Sequence, residues 1–368
     1  MKRTKKYILL GLAFWVFLFL GWEWWNSFPK VRLTPISYPE TKEAKIDSVL
    51  IQGLSHYLIP GMAVGIIENE KVTYLKAFGF ENLQTKDSLT VQSLIPVASV
   101  SKIFTALTLA NFALENELSI DTTINSILSS EKRMSAEFND ITLKNLLNHT
   151  SGLSDNRGIS SLFINKDKRN LAHLPNQLKV PNLSKLDFQY ADANFDLIGY
   201  LMEAIEGRPF EEIAKERTLQ AGGMKKSHFV TEWPTDTLGI TGHQRTFLWK
   251  RIEKKVLKLE RFPSPSSGLI LTPHDLSMAL LHLSREDMGI FGDELAWLKN
   301  DTDFPVGFQS IDLNGSIFIG HFGDQGGYSS LVVYSSELEL AFFLVANAED
   351  HPDFRKAIAA EVLKIILN

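Results

Sequence analysis

The 368-residue sequence predicts an α+β fold, an antiparallel sheet of about five strands flanked by helices and interrupted by an inserted, mostly helical lobe. Three observations point there. Segments rich in β-formers lie near both ends of the chain, amphipathic helical patterns sit outside them, and the stretch from about residue 111 to 262 reads as helix and loop. With 44% hydrophobic side chains and no internal repeat, the chain can bury a large core as one domain or two intertwined ones.

The first 29 residues differ in kind. Lys2, Arg3, Lys5 and Lys6 precede an uncharged run from Tyr7 to Trp22, and Trp24 and Trp25 follow. This pattern marks a membrane-targeting segment whose basic end stays cytoplasmic, which puts residues 30–368 on the far side of the membrane. The run is short for a span of about 20 residues, yet no small-x-small cleavage site follows it. A retained anchor and a cleaved signal, giving a secreted body, both stay open, with the anchor favoured.

Ile46, Val49, Leu50, Leu54 and Tyr57 recur at helical spacing before Pro60-Gly61. Met62 to Glu68 and Lys71 to Phe78 then read as a hairpin turning at Asn69-Glu70. From Ile103 to Leu114 the residues are apolar nearly all round, the mark of a helix inside a core. Asn194 to Glu206 is the clearest helix of the middle region. Ile317 to His321, Tyr328 to Tyr334 and Ala341 to Asn347 supply three more strands, and a helix carrying Ile358, Val362, Ile365 and Ile366 ends the chain.

Charge excludes one class of partner. A net charge of −5 leaves no electrostatic footprint for nucleic acid. The one basic cluster, Lys250, Arg251, Lys254, Lys255, Lys258 and Arg261, reads as a solvated helix or hairpin. With no cysteine, disulfides and thiolate chemistry are excluded.

The chemistry centres on Ser99-Val100-Ser101-Lys102, at the head of the apolar helix. Residues i and i+3 share a helical face, so the Lys102 ammonium can reach the Ser99 hydroxyl. A serine is a weak nucleophile until a neighbour takes its proton. The Ser-x-x-Lys pattern also occurs at Ser27 and Ser129. Pro29 spoils the first copy, and the second lies in a polar stretch, so only Ser99 opens onto a buried helix. The bland reading makes Ser99 a helix cap and Lys102 a solvated lysine.

Further along stand Tyr190-Ala191-Asp192 and His321-Phe322-Gly323. With Ser99 and Lys102, and in this order, they resemble the motifs of the serine β-lactamase and penicillin-binding-protein superfamily, most closely its class C β-lactamase, D,D-peptidase and esterase branch. The stretches L-L-N-H-T-S-G-L from Leu146, S-S-G-L-I-L-T-P-H-D-L from Ser266 and G-H-F-G-D-Q-G-G-Y-S-S from Gly320 extend the resemblance from about Gly61 to Asn347. It implies a β-lactamase/transpeptidase-like fold with the site in a cleft between sheet and helical lobe. It also implies a metal-independent serine hydrolase, without cofactor, that passes through an acyl-enzyme on a small ester, amide or peptide. Ser99 would be the nucleophile, Lys102 its base or relay, and Tyr190 the proton shuttle. The backbone N–H groups of Ser99 and Asp324 would form the oxyanion hole, Gly323 would let the strand approach the substrate, and His321 would face the cleft and steer the substrate's polar end. His149, in N-H-T-S-G, reads as a structural loop residue rather than a catalyst, and Ser101 likewise reads as structural.

Asp192 departs from that pattern, which carries asparagine. An ionised carboxylate beside Lys102 would raise its pKa, against the roughly three-unit drop, about 4 kcal/mol, that a lysine base needs. Lys102 would then act as an electrostatic partner and Tyr190 as the base. Aspartate also lacks an N–H to offer a substrate carbonyl, which tilts the expectation toward esters or small amides. An ordinary histidine is about a quarter charged at pH 7, so His321 would hold a carboxylate weakly.

Rival chemistries fare worse. No serine has the Gly-x-Ser-x-Gly frame of an α/β-hydrolase, and the nine histidines include no helical metal pair. The serious alternative is a non-catalytic receptor or scaffold that has kept the pocket, which Asp192 keeps alive.

Overall fold

The computed structural model describes residues 2–155, 171–178, 181, 187–231, 239–255, 264–285, 288–302 and 304–367. Helix α1 (Lys2–Trp25) leads into the short strand β1 (Ser27–Phe28). The stretch Lys5–Trp25 is long and apolar enough to cross a membrane. Helix α2 (Lys42–Tyr57) starts where the Ala44 N–H donates to Thr41 Oγ1 at 3.1 Å and stops at Leu58, whose φ of 60° is left-handed.

Strands β2 (Gly61–Glu68) and β3 (Lys71–Asn82) form the expected hairpin. Its two turn residues, Asn69 at φ 48° and Glu70 at φ 60°, are both left-handed, as a two-residue turn matched to strand twist requires. The short strands β4 (Asp87–Ser88) and β5 (Ile95–Pro96) follow. A 3-10 turn, Ala98–Val100, then feeds helix α3 (Ser101–Glu115), in which every residue from Ser101 to Ala110 is buried.

The middle of the chain carries helices α4 (Leu143–Leu147), α5 (Asp192–Glu206) and α6 (Phe210–Ala214). It also holds the short strands β6 (His228–Phe229), β7 (His243–Arg245) and β8 (Ile252–Lys254). The last two pair as a hairpin carrying Lys250, Arg251, Lys254 and Lys255 of the basic cluster, whereas Lys258 and Arg261 lie outside the described residues. Helix α7 (Ser264–Ser267), strand β9 (Leu269–Leu271) and helices α8 (Pro273–Leu283) and α9 (Gly292–Lys299) complete this part.

Strands β10 (Gln309–Leu313), β11 (Ser316–Gln325), β12 (Tyr328–Ser335) and β13 (Leu340–Ala346) precede the final helix α10 (Phe354–Leu367). The main sheet is antiparallel, in the order β10-β11-β12-β13-β2-β3-β4. Among the described residues it therefore has seven strands rather than about five. Both additions are edge strands without a continuous apolar run: β10 buries only Ile311 and Leu313, and β4 has two residues.

Both faces of the central strands are covered. Along β13, Leu340, Phe342, Leu344 and Ala346 face α2 and α10, while Ala341, Phe343 and Val345 face the other core, shared with α3 and α8. Such strands read as unbroken apolar runs because neither face meets water. Gly65, opposite Phe343, leaves room for that ring, which a Cβ there would strike.

Candidate active site

Ser99 sits in the 3-10 turn at the head of α3, and Ala98 before it is left-handed at φ 49°, a strained conformation for alanine. The turn is held from three sides. Ser330 Oγ donates to the Val97 carbonyl at 2.8 Å, Ser101 Oγ donates to the Ala98 carbonyl at 2.6 Å, and the Leu269 N–H donates to Ser101 Oγ at 2.9 Å.

Lys102 is fully buried, and its Nζ lies 3.1 Å from Ser99 Oγ, 2.5 Å from Asp192 Oδ1 and 2.9 Å from the Ser266 carbonyl oxygen. The carbonyl and the carboxylate can only accept. The third neighbour, the Ser99 hydroxyl, can accept from an ammonium or donate to an amine. Charge decides between these states. Burial pushes the Lys102 pKa down, but the Asp192 carboxylate and then Tyr190 outweigh it, and the balance stands above the ordinary lysine value. The ammonium is thus the resting form, with Asp192 as its counter-ion.

Tyr190, 39% exposed, precedes α5 with its ring centroid 5.0 Å from Lys102 Nζ. The ring stacks on His149 at 4.5 Å. His149 Nδ1 accepts the Ala191 N–H at 3.2 Å, and burial, then Lys102, hold its pKa down to about 4. It is a neutral platform for Tyr190.

His321, on β11, lies with its ring 6.3 Å from that of Tyr190. It is buried, its Nδ1 meets the Phe322 carbonyl at 2.5 Å, and burial, then the Lys102 charge, lower its pKa to about 3. The fractional charge expected of an ordinary histidine is absent, because the ring sits out of water beside a cation.

Gly323, two residues on, passes against the turn that carries Ser99, where a Cβ would collide with the Val97 carbonyl and Ser330 Oγ. Asp324 is exposed at the end of β11, and its Oδ2 accepts the Asp350 N–H at 3.1 Å. Beneath this corner the largely buried Arg355, from α10, donates to the carbonyls of Gly323 and Ser330 and pairs with Asp350 Oδ2 at 2.7 Å.

The family model described as Beta-lactamase matches residues 46–365, a span that takes in the whole arrangement. The chain belongs to the Beta-lactamase family. A D-aminopeptidase of Brucella anthropi is 29% identical over 188 residues, 48% of this chain, and the match spans only 34% of that relative's own length. Among solved structures, the D-amino acid amidase of Ochrobactrum anthropi SV3 superposes with a TM-score of 0.72 at 18% identity, covering 89% of this chain and 99% of that one. The octameric penicillin-binding protein homologue of Pyrococcus abyssi reaches 0.69 at 21% identity, covering 88% and 77%. The likeness to both structures is one of fold, the α+β β-lactamase and penicillin-binding-protein architecture.

Within this Beta-lactamase site, several contacts had no signal in the sequence. Asp155 caps α5 from 37 residues upstream, its carboxylate accepting the Asp192 N–H at 3.0 Å and the Ala193 N–H at 2.9 Å. The Ser266 carbonyl, Arg355 and the Phe195 ring, 5.6 Å from Lys102 Nζ, join the site only through folding. Ser101 braces the turn that carries Ser99, and His149 stacks on the Tyr190 ring.

Proposed function

We propose that the protein is a serine hydrolase that works through an acyl-enzyme on a small amide or ester. The observation that carries this reading is the fully buried Lys102, held 3.1 Å from Ser99 Oγ at the head of α3. Ser99 Oγ attacks the substrate carbonyl carbon. Its proton passes to the Tyr190 oxygen as Tyr190 gives its own to the leaving nitrogen or oxygen. Lys102 keeps its proton and stabilises the negative charge that builds between them. The N–H groups of Ser99 and Asp324 receive the carbonyl oxygen. Water then attacks the acyl carbon, and the same relay restores Ser99.

The charge pattern supports a substrate without a carboxylate at the subsite beside β11. Lys102 is engaged by three partners, Arg355 by Asp350 and two carbonyls, and His321 is neutral. Amides and esters of amino acids fit this better than peptides ending in a free carboxylate, and the D-aminopeptidase relative supports the amide class. The test is a fluorophosphonate label read by intact mass, with a screen of p-nitrophenyl esters, D-amino-acid anilides and nitrocefin. A single adduct lost in Ser99→Ala, with turnover of esters and anilides above nitrocefin, is expected. No adduct would favour the non-catalytic receptor reading.

We also read α1 as a retained membrane anchor, with the domain outside the cytoplasm. Besides its length and its basic start, its C-terminal end is built into the domain. Strand β1 pairs with β8, and Arg251 donates to Ser27 Oγ at 2.8 Å and to its carbonyl at 2.7 Å. Cleavage within that end would cut through these contacts.

A further inference from the structure

We infer that the tip of the β7–β8 hairpin, Phe247-Leu248-Trp249, inserts into the bilayer interface beside α1 and gives the domain a second membrane contact. The inference rests on the reading of α1 as an anchor. The tip exposes its large apolar side chains, Phe247 at 88%, Leu248 at 52% and Trp249 at 39%. Three adjoining exposed apolar residues at the tip of a hairpin in the small β1-β8-β7 sheet are out of place in water.

Their position names the partner. Trp249 Nε1–H donates to the Leu20 carbonyl at 3.0 Å, inside the apolar stretch, and its ring meets Trp24 edge-on at 5.3 Å. The Phe247 N–H donates to the buried Glu23 Oε1 at 2.6 Å, and the Arg251 guanidinium lies 4.2 Å over the Trp24 ring. The tip therefore runs alongside the last turns of α1. From Trp25 back to Leu20 is about 7.5 Å of helix rise, within the roughly 5–10 Å to which interfacial segments sink. Trp22, Trp24 and Trp25, all exposed, form an aromatic belt at this level, and the exposed Lys250 stands beside the tip to meet lipid headgroups.

A chain lacking cysteine allows a direct test. Single cysteines are introduced in the full-length protein at Leu248→Cys, at Phe17→Cys on α1, and at Glu337→Cys on the exposed turn at the far end of β12. Each carries an environment-sensitive fluorophore, in nanodiscs of phosphatidylcholine and phosphatidylglycerol loaded with one copy each, with nitroxide-labelled lipid as quencher. The Leu248 label is expected to emit at shorter wavelength and to be quenched several-fold more than the Glu337 label. If Phe17 is quenched and Leu248 behaves like Glu337, the hairpin proposal is overturned while the anchor stands. If Phe17 is not quenched either, the anchor reading fails first. A blue shift that appears only when the discs are instead loaded with two copies, without lipid quenching, assigns the tip to a second copy and also overturns the proposal.

Discussion

Lys102 and Arg355 are both cations withdrawn from water, and each divides its donors between one carboxylate and backbone carbonyls. Lys102 holds Asp192 and the Ser266 carbonyl; Arg355 holds Asp350 and the carbonyls of Gly323 and Ser330. What separates them is the other partners and the cation. The other neighbours of Lys102, Ser99 and Tyr190, carry hydroxyls that can turn either way, and an ammonium can lose its proton. Arg355 meets only acceptors, and a guanidinium keeps its charge. One arrangement can change state during a reaction, while the other pins the end of β11 in place. The Lys102 pair is also open on one side, since the Asp192 side chain is 18% exposed against 4% for Asp350.

Experiments can break this contrast. The largest effect is expected from Ser99→Ala, which should lower kcat by about a thousandfold or more, with the thermal midpoint unchanged and the covalent adduct gone. Arg355→Met should act on the fold instead. It leaves Asp350 and two carbonyls without their cation, a loss of about 3–5 kcal/mol for a broken buried pair, read by urea denaturation. Lys102→Met should do the reverse, abolishing turnover at unchanged or raised stability, because water can reach the Asp192 it leaves behind. If Lys102→Met unfolds the protein as readily as Arg355→Met, the two cations are equivalent clamps and the contrast fails.

Asp192→Asn sharpens the comparison without removing the cation. Losing the carboxylate lowers the Lys102 pKa and adds an N–H donor. The ratio of amide to ester turnover should rise by about tenfold, one contact of about 1.4 kcal/mol, and the alkaline limb of the kcat/KM profile, where Lys102 loses the proton it keeps during turnover, should move to lower pH. The smallest effect concerns the neutral histidines. His149, His243 and His321 titrate near 4, 4 and 3 in the native state because they are buried. Unfolded, each titrates near 6.5, so the unfolded chain takes up more protons between these values, and stability falls as pH drops through 6.5. From pH 7.5 to 5.5 each should cost about 1.4 kcal/mol. His243→Asn, away from the site, should remove one such contribution from denaturation curves at the two pH values and leave kcat unchanged.

Much of this was legible along the chain. The hairpin over residues 61–82, helices α2, α3, α5 and α10 and the strands from 316 to 346 all follow local periodicity, with small shifts at their ends. The edge strand β10 was missed because a half-exposed Q-S-I-D-L carries little pattern. The basic cluster read as a solvated helix or hairpin; the described part is a hairpin, and only its nearness to α1 reveals the aromatic tip.

Lys102 reaches Ser99 because three residues of helix separate them, so the sequence alone determined that pair, along with the apolar helix behind it and the membrane-length segment ahead. Whether the lysine carries its charge was decided by tertiary structure. Asp192 lies 90 residues away, and only the docking of α5 against α3 brings its carboxylate to 2.5 Å. The neutrality of His321, the clamp of Arg355 on Gly323 and the contact of Trp249 with Leu20 likewise belong to distant partners. Spacing sets which side chains share a helical face, but burial and the charges that burial brings together set their protonation, and those exist only once the chain has folded.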